Sequence, residues 1–411
     1  LDDFIIDSGK SLWDSIWNDK EIAAYSGINR TGEYNQIDPL SLDLDGDGIE
    51  TVKIEGLDSV LFDHDADGIR TATGWIAADD GLLVLDRNGN GLIDSGRELF
   101  GDNTLLKEGS LASSGFAAWA EFDENQDGKI DAQDAVYAQL RVWRDMNQDG
   151  ISQADELFSL EALGIQSLDL NHQNLNQRQS DGNTLARLGS YSDVQGQARK
   201  MGDFLLAHNG MISRFSDEID LKSVDKQAVN LRGMGRLRDL QSAAAMGRSN
   251  LKAVIEAYSH AETKQEQMAL RDDLLLEWAK TDIRPIFVST LEQVSIRSSS
   301  GNGTGLTPVQ IKALGIGSGG GGSSGLRLIS DEERAIQEEF RLLADKIKIL
   351  DAMTGLNSST LAYADLNDAK RIIDTIKKSY DSLADKLYAG LLFQTRLKPY
   401  TEQLGFQFKE G

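Results

Sequence analysis

The chain has 411 residues, more than one hydrophobic core ordinarily organises, so two or three domains are expected. It contains no cysteine, which excludes disulfides and thiolate metal sites, and no apolar run reaches the roughly 18 residues that span a bilayer. The formal charge of −24 lies almost wholly in one half: residues 1–216 carry 39 Asp and Glu against 16 Lys and Arg, a net of −23, which disfavours nucleic acid as a partner and favours cations.

Residues 1–37 read as a short amphipathic helix and a polar lead-in. The opening LDDFIIDSGKSLWDSIW has neither a basic n-region nor a signal-type cleavage site, so any export signal is expected elsewhere. From about 38 to 170, Gly-Asp-Asn turns alternate with apolar strands such as GLLVLD and helical stretches such as GFAAWAEFD. Residues 182–207 alternate and turn like a β-hairpin or meander. After Phe215 helical periodicity and balanced charge take over, interrupted by a loose stretch over 297–325. Its end, near 317–325, is a Gly/Ser-rich linker, either a natural low-complexity loop or an engineered splice. The expected class is α+β: EF-hand-like calcium loops with short strands and a hairpin or meander, then a mainly α-helical region.

One pattern, acid-x-acid/Asn-x-acid/Asn-Gly, occurs five times. The copies are Asp43/Asp45/Asp47/Gly48, Asp63/Asp65/Asp67/Gly68, Asp86/Asn88/Asn90/Gly91, Asp123/Asn125/Asp127/Gly128 and Asp145/Asn147/Asp149/Gly150. A hard cation such as calcium takes six to eight oxygens from a flexible loop: side chains at positions 1, 3 and 5, a main-chain carbonyl at 7, and a carboxylate at 12. The glycine at 6 permits the sharp turn between them. In the fourth copy Lys129 supplies the position-7 carbonyl and Asp134 stands at 12; in the fifth, Ile151 and Glu156 do so. The third has Asp94 at position 9 and Glu98 at 13, one residue late, and the first two need a ligand from elsewhere. The fourth and fifth loops are close enough in sequence to form a pair. Four to five calcium ions are expected, and five would bring the −23 of this half to −13, so that binding energy becomes folding energy. His64, inside the second loop, reads as a solvent-facing filler, and the four histidines lack metal-ligand spacing.

Asp38-Pro39 immediately precedes the first loop. The Asp38 carboxylate can close a five-membered ring on its own main-chain carbonyl, with the proline nitrogen of a tertiary amide as leaving group. The product is an aspartyl anhydride, open to water or to a lysine amine. Spacing does not name the acid that protonates the nitrogen.

DPLSLDLDGDGIETV, LFDHDADGIRTATGWIAADDGLLVLDRNGNGLIDSGRELFGD and LRVWRDMNQDGISQADEL together resemble the self-processing module of FrpC-type RTX proteins, and LDAMTGLNSSTL and LLFQTRLKPY resemble the helical region that follows it. The resemblance implies calcium-triggered cleavage after Asp38, with Pro39 as the new N-terminus and optional Asp–Lys isopeptide transfer to lysines in cis or on neighbouring proteins. It also implies dependence on Asp123, Asp134, Asp145 and Glu156, and type I secretion from a Gram-negative cell to the exterior or cell surface. The G-G-x-G-x-D array that names RTX proteins is absent, so the chain is expected to be a piece of a longer protein. The expected domains are a lead-in at 1–37 released on cleavage, a calcium-binding self-processing module at 38–215 and a helical region at 216–411. The rival reading is a structural or adhesive calcium module whose Asp-Pro is inert.

Overall fold

Capping residues set the first elements. Ile5–Asp7 (β1) pairs antiparallel with Lys10–Ser11 (β2). Ser11 then opens the helix Leu12–Trp17 (α1): its hydroxyl accepts from the Asp14 N–H, and the Asp14 carboxylate accepts from the Ser11 N–H. Asp19 caps Lys20–Ser26 (α2) by accepting from the Glu21 and Ile22 N–H groups. This computed structural model describes residues 5–7, 10–28, 38–223, 228–282, 330–358 and 363–403; the expected Gly/Ser linker near 317–325 lies outside them. Two compact units emerge, Tyr34–Asp217 on one hand and Leu1–Glu33 with Glu218–Gly411 on the other.

Tyr34–Asp217 contains strands Leu40–Leu42 (β3), Thr51–Val52 (β4), Leu61–Phe62 (β5), Ile69–Thr73 (β6), Trp75–Ile76 (β7) and Gly81–Val84 (β8). The helix Gly115–Ala120 (α3) follows, then Lys129–Ile130 (β9), Arg141–Trp143 (β10), Leu157–Ser159 (β11), Ile165–Arg178 (β12), Thr184–Asp193 (β13), Ala198–Leu205 (β14) and His208–Phe215 (β15). Eight strands make an antiparallel sheet in the order β11-β10-β8-β3-β14-β13-β12-β9. The run Leu82-Leu83-Val84-Leu85 is apolar at every position because both faces of β8 are covered. Leu83 and Leu85 enter a cluster with Leu40, Leu42, Phe116, Trp119 and Met201; Leu82 and Val84 enter another with Phe62, Trp75, Trp143 and Phe204. Period-two side-chain alternation thus gives two cores, one on each face of the strand. β3 lies between β8 and β14, so Pro39 leads straight into the interior of the sheet.

The second unit is helical: Leu240–Ala245 (α4), Leu251–Ser259 (α5), Lys264–Ala279 (α6), Asp331–Leu342 (α7), Ala344–Thr354 (α8), Leu366–Gln394 (α9) and Lys398–Gln403 (α10). Ile372, Ile373, Ile376, Tyr380, Leu383, Leu387 and Leu391 stripe α9 at helical spacing and are buried. Both α1 and α2 pack on α9, so the first 28 residues belong with the helices 350 positions downstream rather than with the sheet that follows them. The chain therefore holds both strands and helices, as an α+β protein does.

Candidate functional site

Asp38 is 4% exposed, and the groups around it come from residues 100–102 and from β14. Its Oδ1 accepts from the Asp102 N–H. The Leu40 N–H donates to the Phe100 carbonyl at 3.1 Å, and the Phe204 N–H to the Pro39 carbonyl at 3.3 Å. Gly101 lies so close that a Cβ there would stand 2.8 Å from the Asp38 main-chain oxygen and 2.9 Å from Oδ1. The Asp38-Pro39 bond is therefore gripped on both sides by backbone.

Two more carboxyls lie beside it, Asp203 and the half-buried Asp102. Asp203 is fully buried on β14, opposite Leu40, and its Oδ2 accepts from Arg187 at 2.7 Å. Burial, with repulsion from Asp203 and Asp102, pushes Asp38 up to about 9. Burial also pushes Asp102 to about 6, and Asp203 to about 6 against the opposing Arg187 guanidinium. Like charges so placed cannot all ionise, so the trio keeps a proton near neutrality.

The five acidic loops share one backbone design. Position 6 is left-handed in each, with φ of 137° at Gly48, 83° at Gly68, 82° at Gly91, 84° at Gly128 and 68° at Gly150. Position 4 is left-handed too: Gly46, Ala66, Gly89, Gln126 and Gln148. In the last four loops the position-1 carboxylate folds back onto loop N–H groups, ending on that of the position-6 glycine: Asp63 to Gly68, Asp86 to Gly91, Asp123 to Gly128 and Asp145 to Gly150, at 2.8–2.9 Å. Asp43 takes the Gly46 N–H instead.

A second buried carboxylate closes four of the loops by accepting loop N–H groups. Asp134 accepts from Glu124 and Asp131, at positions 2 and 9; Glu156 accepts from Met146 and Gln153, again 2 and 9. Glu98 accepts from Asp94, position 9 of the third loop. For the first loop the closing group is Asp80, which accepts from Leu44 and Glu50. Carboxylate oxygens of Asp43, Asp45 and Asp80 lie within 4.8 Å of one another, as do those of Glu50, Asp79 and Asp80, and of Asp63, Asp65 and Asp67. All these donors are hard oxygens and several are buried, so the clusters fit a divalent metal ion such as calcium. Burial pushes Asp80 to about 7 and Asp63 and Asp145 to about 6, with smaller repulsion from neighbouring carboxylates.

Asp45, Asp47, Asn88, Asn90, Asp94, Asn125, Asp127, Asn147, Asp149 and Ile151 lie on the loops, exposed or half-buried, around the buried Asp43, Asp63, Asp134, Asp145, Glu98 and Glu156. Two expectations change. His64 is buried, its ring 5.0 Å from that of Phe62 and 6.3 Å from that of Trp75, because the second loop leads into the aromatic core. The fourth and fifth loops do not meet through positions 7 and 8. Lys129 and Ile130 pair with β12, while Ser152, position 8 of the fifth loop, receives the N–H of Ile93, position 8 of the third, at 2.7 Å. A serine at a position usually apolar was the only sign of that exchange. Asp102, Asp203 and Gly101 carry no local motif, and Asp80 showed only as an acidic pair after an apolar strand.

Residues 40–207 match the family model of the SPM domain. The iron-regulated protein FrpA of Neisseria meningitidis serogroup C is 49% identical over 385 residues, which cover 92% of this chain and 33% of that relative. The chain thus spans about a third of the length of this relative. Both matches support the resemblance to the FrpC-type self-processing module. No described helix is long and apolar enough to cross a membrane.

Proposed function

We propose that residues 38–217 form a calcium-dependent self-processing module that breaks the Asp38-Pro39 bond once. The observation that carries this reading is the burial of Asp38 beside two other carboxyls while backbone groups grip both sides of its peptide bond. Proton transfer from Asp38 to Asp102 or Asp203 leaves a carboxylate nucleophile and a neutral acid in one step. Asp38 Oδ then attacks its own main-chain carbonyl carbon, closing a five-membered anhydride. The C–N bond to Pro39 breaks, and the nitrogen takes the proton held by the neighbouring acid. Water opens the anhydride to a C-terminal Asp38; a neutral lysine amine captures it as an isopeptide instead. Gly101 and the Asp102 N–H fix the carboxyl against the carbonyl it attacks, where proximity is worth most.

The five loops, read as EF-hand-like, hold the trigger. Bound calcium would supply counter-charge and fixed oxygen ligation that fold the acidic segment around the bond. Asp43, Asp45, Asp47 and Asp80 would serve the first loop and Asp63, Asp65 and Asp67 the second. Asp86, Asn88, Asn90, Asp94 and Glu98 would serve the third; Asp123, Asn125, Asp127, Asp134 and the Lys129 carbonyl the fourth; Asp145, Asn147, Asp149, Glu156 and the Ile151 carbonyl the fifth. Extracellular calcium modules bind at about 10⁻⁴–10⁻³ M, so such a protein would stay unprocessed in a cytosol and act after secretion.

An intact-mass time course in EDTA and then millimolar calcium tests the proposal. The expected result is conversion to a 39–411 fragment plus a 1–38 peptide, with crosslinked species one water lighter than the molecules they join. An unchanged mass beside clear calcium-induced folding would leave a structural module. Asp203→Asn and Asp102→Asn should each slow cleavage and move its upper pH limit; an unmoved profile in both would remove the proton-donor assignment.

A further inference from the structure

Chain order places residues 1–38 before the proposed break, and the fold places most of them in the other unit. Leu12, Trp13, Ile16, Ile22, Tyr25 and Ile28 are each at most 4% exposed. All but Ile28, which follows α2, are the buried face of α1 and α2, and both helices lie against α9. Polar groups fix the register. The Tyr25 hydroxyl donates to Asp351 at 2.7 Å and lies 2.9 Å from the Ser358 hydroxyl, all three buried. Ser379 donates to the Glu21 carbonyl at 2.6 Å, Ser382 to Asp19 at 2.9 Å, and Lys386 pairs with Asp19 at 3.0 Å. Gly390 leaves room for Leu12: a Cβ there would stand 2.6 Å from its Cδ2.

We infer that the helical unit is a receptor for the N-terminal arm, so that breaking Asp38-Pro39 nicks the chain without releasing the 1–38 fragment. The nick rests on the proposed self-processing; the docking does not. Asp351, Ser379, Ser382, Lys386 and Gly390 hold the arm through Asp19, Glu21, Tyr25 and Leu12. Loss of the arm would deprive the Asp351 carboxylate of the Tyr25 hydroxyl and uncover the apolar face of α9. After cleavage the Asp38 carboxyl would remain within ten residues of Ile28, so the anhydride would be presented from a docked arm. At the roughly 3.5 Å that an extended residue spans, it reaches amines within about 35 Å of that anchor.

The test uses the full chain with a site-specific protease sequence replacing residues 31–36, alongside the unaltered chain. After protease nicking, or after calcium-driven cleavage of the unaltered chain, native size exclusion with mass spectrometry of the peak should find the N-terminal fragment in a one-to-one complex; denaturing conditions should separate it. Gly390→Val, which occupies the place of Leu12, should raise fragment loss at least tenfold while the remaining helical signal persists. Asp19→Ala, which removes the Ser382 and Lys386 contacts from the arm side, should act in the same direction. Fragment eluting alone from the nicked parent would overturn the inference. Retention in the protease-nicked chain with no calcium-driven cleavage would uphold the docking and refute the self-processing. Cleavage in calcium followed by fragment loss would uphold the processing and refute retention.

Discussion

Gly101→Ala probes the grip on Asp38 without touching any carboxyl. The new methyl would stand 2.8 Å from the Asp38 main-chain oxygen, 2.9 Å from Oδ1 and 3.2 Å from the carbonyl carbon. Since a relaxed carbon–oxygen contact is about 3.3–3.6 Å, Asp38 must retreat by roughly half an ångström. Overpacking of this kind costs about 1–3 kcal/mol of stability. Its kinetic effect should be larger than stability alone explains, because a misplacement of about 1 Å costs about 10²-fold in a positioned reaction; half of that predicts a slowing of about tenfold or more. The assay is the intact-mass time course in millimolar calcium, with near-ultraviolet circular dichroism to show calcium-induced folding. Gly189→Ala is the control: its Cβ would meet Phe116 Cζ at 2.7 Å, overpacking the same unit away from the bond. Gly101→Ala cleaving within about threefold of the parent, or both variants slowing alike, would refute the positional argument.

Asp38→Ala should abolish cleavage while leaving calcium-induced folding intact, because Asp38 belongs to none of the five loops; loss of folding, read by circular dichroism, would overturn that division of roles. Glu98→Gln and Asp80→Asn keep shape but remove charge from the carboxylates that close the third and first loops, and each should raise the calcium midpoint for cleavage about tenfold, or about 1.4 kcal/mol, in a titration. In EDTA the sheet unit should be less stable at about pH 8 than at about pH 5.5. Burial raises Asp38 to about 9, Asp80 to about 7, and Asp63, Asp102, Asp145 and Asp203 to about 6, all above the ordinary aspartate value of 3.8. The folded state therefore binds more protons than the unfolded state between about pH 4 and 9, and stability falls as pH rises through that window. A tenfold difference in proton affinity between the two states is worth about 1.4 kcal/mol, and urea midpoints that stay flat or rise with pH would contradict the assignment.

The loops were legible because their chemistry is local. A glycine required at positive φ and carboxylates at alternate positions are set by a dozen consecutive residues, and Asp145 through Glu156 shows that whole arrangement in one stretch. Strand GLLVLD was legible as a short unbroken apolar run, and the hairpin after residue 182 through alternation. What surrounds Asp38 was not, because Asp102 reaches it from a turn 64 positions away and Asp203 from 165 positions away across the β3–β14 pairing, and no spacing rule encodes either. The closing carboxylate of the first loop escaped likewise: Asp80 arrives across the β3–β8 pairing, not at position 12. Residues 10–28 illustrate the same limit, since an amphipathic helix declares that it has a buried face and not which of two units covers it.

The first and third loops, which lie nearest Asp38 and Asp102 along the chain, bound how steeply cleavage should depend on calcium. The first loop begins at Asp43, five residues beyond Asp38 along β3, or about 16 Å of extended strand. Changing the charge there by +2 alters the energy of an Asp38 carboxylate by about 2 kcal/mol at an effective dielectric of about 20, enough to lower its pKa by about 1.5, and salt screening reduces the effect further. From a starting point of about 9, one loop leaves the Asp38 carboxyl mostly protonated at neutral pH. The third loop ends at Glu98, four residues before the Asp102 whose N–H holds Asp38; an ion there at a comparable distance would contribute a similar amount. Only the two together bring Asp38 level with the Asp102 and Asp203 carboxyls, at about 6, that take its proton in the proposed step. Cleavage should therefore rise with calcium more steeply than a single-site isotherm, with an apparent Hill coefficient between 1 and 2, and Glu98→Gln or Asp80→Asn should flatten the curve as well as shift it. A hyperbolic curve in the parent, shifted without change of shape in both variants, would mean that one loop suffices and that electrostatic release of Asp38 is not the trigger.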